Sequence, residues 1–129
     1  VLCGDGEDAF SAGADMSEFE RVRSTRDQVI AFHEICVLGA LTAIAESPIP
    51  VVAAIGGVCM GGGLEIASVC DLRIAGEASR FGAPVGRYGF PLAFAETQAL
   101  FRIVGPTATS LVATDVIWDF FAQHHLSSN

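Results

Sequence analysis

The amino-acid sequence predicts a single α/β domain. A run of β-branched residues and alanine, Val51–Ile55, is followed by a glycine-rich turn and then by the helix-compatible stretch Leu64–Cys70. A longer segment, Thr25–Glu46, repeats apolar residues with a helical period. The 129 residues have room for about one domain, and 51% hydrophobic residues supply enough apolar material for a core.

The N-terminal half starts with a short strand. Val1–Cys3 is typical of the end of a buried strand, and Gly4–Asp8 of a turn. The first residues include no positively charged region and no initiating Met, so we expect no signal peptide and a chain entered within a strand. In the helix Thr25–Glu46 one face should be buried, and it contains Val29, Phe32, Cys36, Val37, Ala40, Leu41 and Ile44.

Two prolines separate this helix from the rest of the chain. Ser47–Pro50 stops the helix, and the strand Val51–Ile55 that follows should be fully buried. Asp71–Ala75 alternates polar and apolar residues and predicts another strand. The remaining predictions are a mainly irregular Ala78–Leu92, a helix over Phe94–Val104 and an amphipathic tail segment, Val116–Phe121.

The net charge of the sequence limits the classes of binding partner that can be expected. Fifteen acidic residues against seven arginines give a net charge of −8, which disfavours a nucleic-acid partner. An anionic ligand would need local donors such as Arg21, Arg23 and Arg26. The longest uncharged stretch, Ser47–Leu64, is broken by prolines and glycines, so no membrane span is predicted. The four cysteines predict buried thiols in a reducing cytosol and no metal site: Cys3, Cys36, Cys59 and Cys70.

The most informative motif is Gly61-Gly62-Gly63-Leu64-Glu65 at the junction of strand and helix. Glycines let a ligand approach the backbone, and a helix N-terminus offers unpaired N–H groups. Glu65 lies within one helical turn of Gly62, so a proton carrier could share a face with an N–H donor. The alternative is that the glycines only permit close packing and Glu65 is an exposed acid at the helix start. A nucleotide-binding domain is disfavoured, because neither the dinucleotide fingerprint nor the P-loop pattern is present.

Three segments in order resemble the signatures of the crotonase (enoyl-CoA hydratase/isomerase) family. They are FSAGADM (Phe10–Met16), PVVAAIGGVCMGGGLEIASVCDLRIA (Pro50–Ala75) and SRFGAP (Ser79–Pro84). The resemblance implies an incomplete crotonase-like (ClpP/crotonase) spiral of ββα units. It also divides the chain into a partial core over residues 1–105 and a divergent helical tail over residues 106–129.

The same resemblance implies a site for an acyl-CoA thioester. The Ala14 and Gly62 N–H groups would form an oxyanion hole, and Glu65 would be the general acid/base. It implies an acyl-CoA substrate with no further cofactor, and a homotrimer or hexamer. The thiols predicted above, and not the resemblance, indicate a cytoplasmic location without a metal site. The other residues implied to bind the substrate are Ala12, Asp15, Met16, Gly61, Pro84 and Val85.

One position departs from the family pattern. Hydratases of this family have a second glutamate directly after the proline of SRFGAP, and here that residue is Val85. Because a valine cannot carry a proton, isomerisation, decarboxylation or another one-base enolate reaction competes with hydration as the predicted chemistry. A catalytically impaired fragment that binds or assembles is the alternative.

Other titratable residues are assigned no role in catalysis. Asp15 is predicted to cap the segment after it, whereas Glu77 and Glu96 are predicted to be surface charges. For the histidines the prediction is a structural or solvated role: His33, His124 and His125.

Overall fold

The computed structural model of the chain describes residues 1–83 and 94–112. Within these residues, helices are interspersed among six strands, and the strands form two three-stranded sheets. Every pairing within the two sheets is parallel. This arrangement confirms the predicted α/β class.

The first sheet contains β1 (Leu2–Cys3), β3 (Val52–Ile55) and β5 (Leu72–Ala75), with β3 in the centre. Ala53 and Ile55 are buried, but the two alternate residues of β3 are only half-buried. The prediction of a fully buried strand is therefore wrong for one face. Successive side chains of a strand point to opposite faces, and only one face of β3 meets the core.

The second sheet contains β2 (Ala9–Ser11), β4 (Val58–Met60) and β6 (Arg80–Gly82), with β4 in the centre. The sequence predicts a turn where β4 lies, and this prediction is wrong. It also predicts a mainly irregular segment from Ala78, within which β6 forms a three-residue strand. A three-residue strand is too short to establish a period, so its pairing with neighbours decides its conformation.

A short helical segment follows β2. It is a 3-10 turn, Met16–Glu18, continued by helix α1 (Phe19–Val22). The Asp15 carboxylate accepts a hydrogen bond from the Ser17 N–H at 2.9 Å, which confirms Asp15 as the cap of this segment.

The predicted long helix is confirmed, and it consists of α2 (Arg26–Ala31), a π-helical segment (Phe32–Val37) and α3 (Leu38–Ala45). Thr25 and Gln28 form a capping box at its start.

The prediction of a buried face along this helix is correct only in part: Phe32, Val37 and Ile44 are half-buried, and Ile44 packs against the core. Leu41 is its buried residue, whereas Val29, Cys36 and Ala40 are exposed because no described element covers that side. Among the described residues, the run Arg26–Ala45 is long and apolar enough to cross a membrane. Core helices of soluble proteins meet the same two criteria, so this finding is weak evidence for a membrane span.

Helices α4 (Gly62–Val69) and α5 (Phe94–Val112) complete the described structure and contact each other. Helix α5 is interrupted at Gly105, whose φ is +79°. Both helices contribute to the buried apolar core, whose members are Ala53, Ile55, Cys59, Leu64, Ala67, Cys70, Ala83 and Leu100.

The prediction for the cysteines is half correct. Cys59 and Cys70 are buried, whereas Cys3 and Cys36 are exposed, the latter on the uncovered side of the long helix. All four are free thiols.

Several predictions fall outside the described residues. They concern Pro84, Val85, most of the predicted irregular segment, the tail Val116–Phe121, His124 and His125.

Candidate active site

The turns after β2 and β4 meet at one edge of the second sheet. Because β2 and β4 are parallel neighbours, their carboxyl ends lie side by side. Gly13, with φ +99°, packs onto the second turn so closely that a Cβ there would lie 3.1 Å from the Met60 carbonyl oxygen and 3.4 Å from the Gly62 nitrogen. The structure therefore brings together the two segments from which Ala14 and Gly62 are drawn.

Ser11 fixes the distance between these turns. A Cβ on Gly63 would lie 2.6 Å from the Ser11 Cβ and 2.8 Å from the Ser11 carbonyl oxygen, so only glycine fits at position 63. The Ser11 hydroxyl accepts a hydrogen bond from the Gly13 N–H at 3.2 Å. Sequence reasoning missed Ser11, and a small residue directly before the Ala12-Gly13 pair was the available signal.

The N-terminus of α4 leaves backbone donors open. The Gly61 N–H donates to the Gly82 carbonyl at 2.8 Å, and the Gly61 carbonyl accepts from the Leu64 and Glu65 N–H groups. In the part of the chain that the structure describes, neither the Gly62 N–H nor the Ala14 N–H takes part in a backbone hydrogen bond. Both remain able to donate to a ligand.

Glu65 lies in the first turn of α4 and is half-buried. Burial raises its pKa to about 7, with the negative charge of Glu96 adding to the rise and His33 opposing it. The alternative interpretation, an exposed acid at the helix start, is therefore wrong. At neutral pH both protonation states of Glu65 are populated, as acid/base chemistry requires.

Glu96 is a second acid of this region, and unlike Glu65 it is almost fully buried. Only 4% of it is exposed, and its Oε1 lies 2.6 Å from the His33 Nδ1. The prediction of a surface charge is wrong because the first turn of α5 packs inward, towards α4. The helical spacing between Glu96 and the buried Leu100 was a signal for this orientation. Glu77 is exposed, as predicted.

Arg23 faces the same region. Its guanidinium lies between two aromatic rings, 3.8 Å from the centre of the Phe19 ring and 3.6 Å from that of Phe32. Burial lowers the pKa of Arg23, and the charge of Glu96 opposes that change. Its Nε is buried without a hydrogen-bond partner among the described residues. By contrast, the exposed Arg21 pairs with Glu18.

The other predicted substrate-binding residues lie around the two turns. Ala12, Asp15 and Met16 are exposed along the turn after β2, and Gly61 is half-buried with φ +51°. Within residues 1–83 and 94–112, no group of three or more His, Cys, Asp or Glu side chains could hold a metal ion.

Comparison with known proteins gives one family. A sequence model described as enoyl-CoA hydratase/isomerase matches residues 1–114. The short-chain-enoyl-CoA hydratase of Clostridium acetobutylicum is 39% identical over 105 residues, which cover 81% of this chain and 39% of that protein. The crotonyl-CoA hydratase of Syntrophomonas wolfei is 34% identical over 119 residues, which cover 91% of this chain and 45% of that protein.

Solved structures agree with this comparison. The crystal structure of an enoyl-CoA hydratase/carnithine racemase from Magnetospirillum magneticum superposes with a TM-score of 0.82 at 36% identity, covering 86% of this chain and 41% of that chain. The predicted crotonase-like fold is confirmed, as a part of the full-length fold. The chain spans about two fifths of the length of the three relatives named here.

Proposed function

Because the chain belongs to the enoyl-CoA hydratase/isomerase family, we propose that it processes acyl-CoA thioesters through an enolate-like intermediate. The Ala14 and Gly62 N–H groups would bind the thioester oxygen, and Glu65 would move a proton at a neighbouring carbon. One observation carries this proposal: the turns after β2 and β4 pack together at the start of the helix that contains Glu65, whose pKa is raised. Within the described residues, the Ala14 and Gly62 N–H groups of these turns have no backbone acceptor.

The proposed oxyanion hole would supply the larger part of the catalysis. Charge develops on the thioester oxygen as the enolate forms, and fixed donors stabilise that charge without having to reorganise. Loss of one such donor costs about 3–4 kcal/mol in acyl transfer. The tight contact of Gly13 with the second turn supports such rigidity on both sides.

Glu65 would act as both base and acid. A pKa of about 7 leaves a large fraction ionised, and so able to remove a proton, while the protonated form can return one. Since the position of the family's second glutamate is Val85, reactions that need one carboxyl at the substrate, such as double-bond isomerisation, compete with hydration. The named relatives, which are enoyl-CoA hydratases, support an enoyl-CoA as the first substrate to test.

Turnover of enoyl-CoA substrates tests the proposal. Hydration of crotonyl-CoA and isomerisation of a 3-enoyl-CoA are measured for the unaltered chain, for Glu65→Gln and for Glu77→Gln as the exposed control. We expect Glu65→Gln to lower kcat about 10²-fold to 10⁴-fold, the range for a general acid/base. Full turnover by Glu65→Gln would remove Glu65 from the mechanism.

A second candidate is a binding or assembly module without turnover. Val85 favours it, because it stands where hydratases of the family have their second glutamate. Calorimetry with crotonyl-CoA separates the two candidates, since a module would bind the thioester with unchanged substrate recovered at the end.

We also propose assembly into a homotrimer or hexamer, from the family resemblance, and a location in the cytoplasm, from the four free cysteines. Sedimentation of the purified chain tests the first point, since a monomer at all concentrations would contradict it. Cell fractionation tests the second.

A further inference from the structure

Arg23, which ends helix α1, has hydrogen-bond donors that the described part of the chain leaves unused. Its guanidinium makes no hydrogen bond and no ion pair with any described residue, and its Nε is buried without an acceptor. Buried polar groups in native proteins nearly always have a hydrogen-bond partner, so an exception calls for an explanation. The proposed function gives none, because it does not use Arg23.

Two aromatic rings from different elements hold this guanidinium in place. Phe19 belongs to α1, and Phe32 opens the π-helical segment; their ring centres lie 3.8 Å and 3.6 Å from the Arg23 Cζ. The Arg23 backbone N–H donates to the Phe19 carbonyl at 2.8 Å, which fixes the base of the side chain. Aromatic faces attract the positive charge but offer no lone pairs in the plane of the N–H groups. The edge of a pre-organised, planar fork of donors is therefore left for a ligand.

The structure distinguishes Arg23 from the other two arginines that the sequence offers to an anionic ligand. Arg21 is exposed, and its guanidinium already pairs with Glu18. Arg26 is exposed in the first turn of α2, and no aromatic ring holds it. An exposed arginine loses side-chain freedom when it binds an anion, whereas the Arg23 side chain is already ordered. Of the three, Arg23 is thus the one built to bind.

We propose that Arg23 binds the carboxylate of an organic acid. The two carboxylate oxygens accept hydrogen bonds from two N–H groups on one edge of the guanidinium, a pairing whose geometry the two planar groups share. The rings of Phe19 and Phe32 then flank the apolar carbon next to the carboxylate. This site uses neither the Ala14 and Gly62 N–H groups nor Glu65, so it stands or falls independently of the proposed function.

The surrounding charges favour a carboxylate over a phosphate. A carboxylate carries one negative charge, which equals the positive charge of Arg23. A phosphate monoester carries about 1.5 to 2 negative charges at neutral pH. The excess would be repelled by Glu96, which is almost fully buried and whose charge acts on Arg23. Glu96 does not occupy the Arg23 donors itself, because its carboxylate bonds to the His33 Nδ1 at 2.6 Å.

Titration of the unaltered chain with sodium butyrate, followed by proton–nitrogen NMR of the arginine Nε groups, tests the site. Burial slows exchange of the Arg23 Nε–H with water, so its signal should be observable, and its loss in Arg23→Lys identifies it. We expect butyrate to move the Arg23 signal to saturation and to leave that of Arg21 in place. At equal ionic strength, sodium phosphate should bind more weakly, and sodium chloride should give no saturable shift.

Two matched variants test the planar fork. Arg23→Lys keeps the charge but loses the paired N–H groups, so butyrate affinity, followed on the amide signals of α1, should fall about 10-fold to 100-fold. Arg21→Lys, at the exposed position, should leave it unchanged, and circular dichroism shows whether each variant is folded. Equal weakening in both variants, no saturable shift of Arg23 in the unaltered chain, or tighter binding of phosphate than of butyrate would overturn the proposal. The titration of the unaltered chain decides alone if Arg23→Lys does not fold.

Discussion

Replacing Glu65 with glutamine should make the chain more stable at alkaline pH than the unaltered chain. Burial, together with the charge of Glu96, raises the Glu65 pKa from 4.5 to about 7. The folded state therefore binds a proton more tightly than the unfolded state does. Below pH 4.5 the carboxyl is neutral in both states, and the full stability is present. As the pH rises from 4.5 to 7, the unfolded chain ionises this carboxyl while the folded chain keeps it protonated, so stability is lost across this window and levels off above it.

The pKa shift sets the size of the effect. Each unit of difference between the folded and unfolded pKa corresponds to 1.36 kcal/mol, so a rise from 4.5 to about 7 is equivalent to about 3 kcal/mol at pH 8. Glutamine has nearly the shape of the protonated carboxyl and does not ionise. The difference in free energy of unfolding between variant and unaltered chain should thus increase by about 2–3 kcal/mol from pH 5 to pH 8.

Urea denaturation followed by far-UV circular dichroism measures this difference at both pH values. Glu77→Gln, at an exposed position, is the control, and its curve should stay parallel to that of the unaltered chain. Most other carboxyls are common to all three proteins, so their titration cancels in the comparison. If the stability gap between Glu65→Gln and the unaltered chain were the same at pH 5 and pH 8, Glu65 would have an ordinary pKa, and its role as a base near neutrality would lose its basis.

Two further predictions follow from packing and burial. Gly63→Ala should lower the free energy of unfolding by about 1–3 kcal/mol, because the new Cβ would overlap Ser11. The control Gly6→Ala should change it little, because a Cβ at Gly6 meets nothing within 4 Å. Urea titration measures the stability of both variants, and equal stabilities would contradict the contact between Gly63 and Ser11. A thiol reagent at pH 8 should modify Cys59 and Cys70 far more slowly than the exposed cysteines. The reason is that burial raises the pKa of Cys59 to about 12 and also raises the pKa of Cys70. Mass spectrometry of the partly labelled chain identifies the modified residues, and early modification of Cys59 would refute its burial.

The part of the site that could be predicted from sequence is local. Gly61 to Glu65 form one continuous junction of strand and helix, so their spacing alone places a carboxyl one turn from the backbone donors. The cap by Asp15 and the end of the long helix before Pro48 are equally local. Such features depend on residues a few positions apart, where periodicity, capping and proline rules apply.

The part that could not be predicted depends on contacts between distant residues. His33 and Glu96 are 63 positions apart, and no local pattern indicates that these two side chains meet. The strands β4 and β6 have three residues each and owe their conformation to pairing with each other. The exposure of one side of the long helix could not be predicted either. The spacing of apolar residues predicts which side of a helix is apolar, but not whether another element packs against that side.

The position of Glu65 links its chemistry to its stability cost. Only the N–H groups in the first turn of a helix lack an acceptor within the helix. A carboxyl that is to act on a ligand bound by these N–H groups must therefore lie in the same turn. In that turn the helix dipole favours an ionised carboxylate, which lowers a pKa, yet Glu65 has a raised one. Burial and the neighbouring Glu96 therefore outweigh the dipole, and an exposed residue 65 would be ionised well below neutral pH. The packing of α5 against α4 destabilises the folded chain when Glu65 is ionised. The same packing keeps the pKa of Glu65 near 7, where it can exchange a proton.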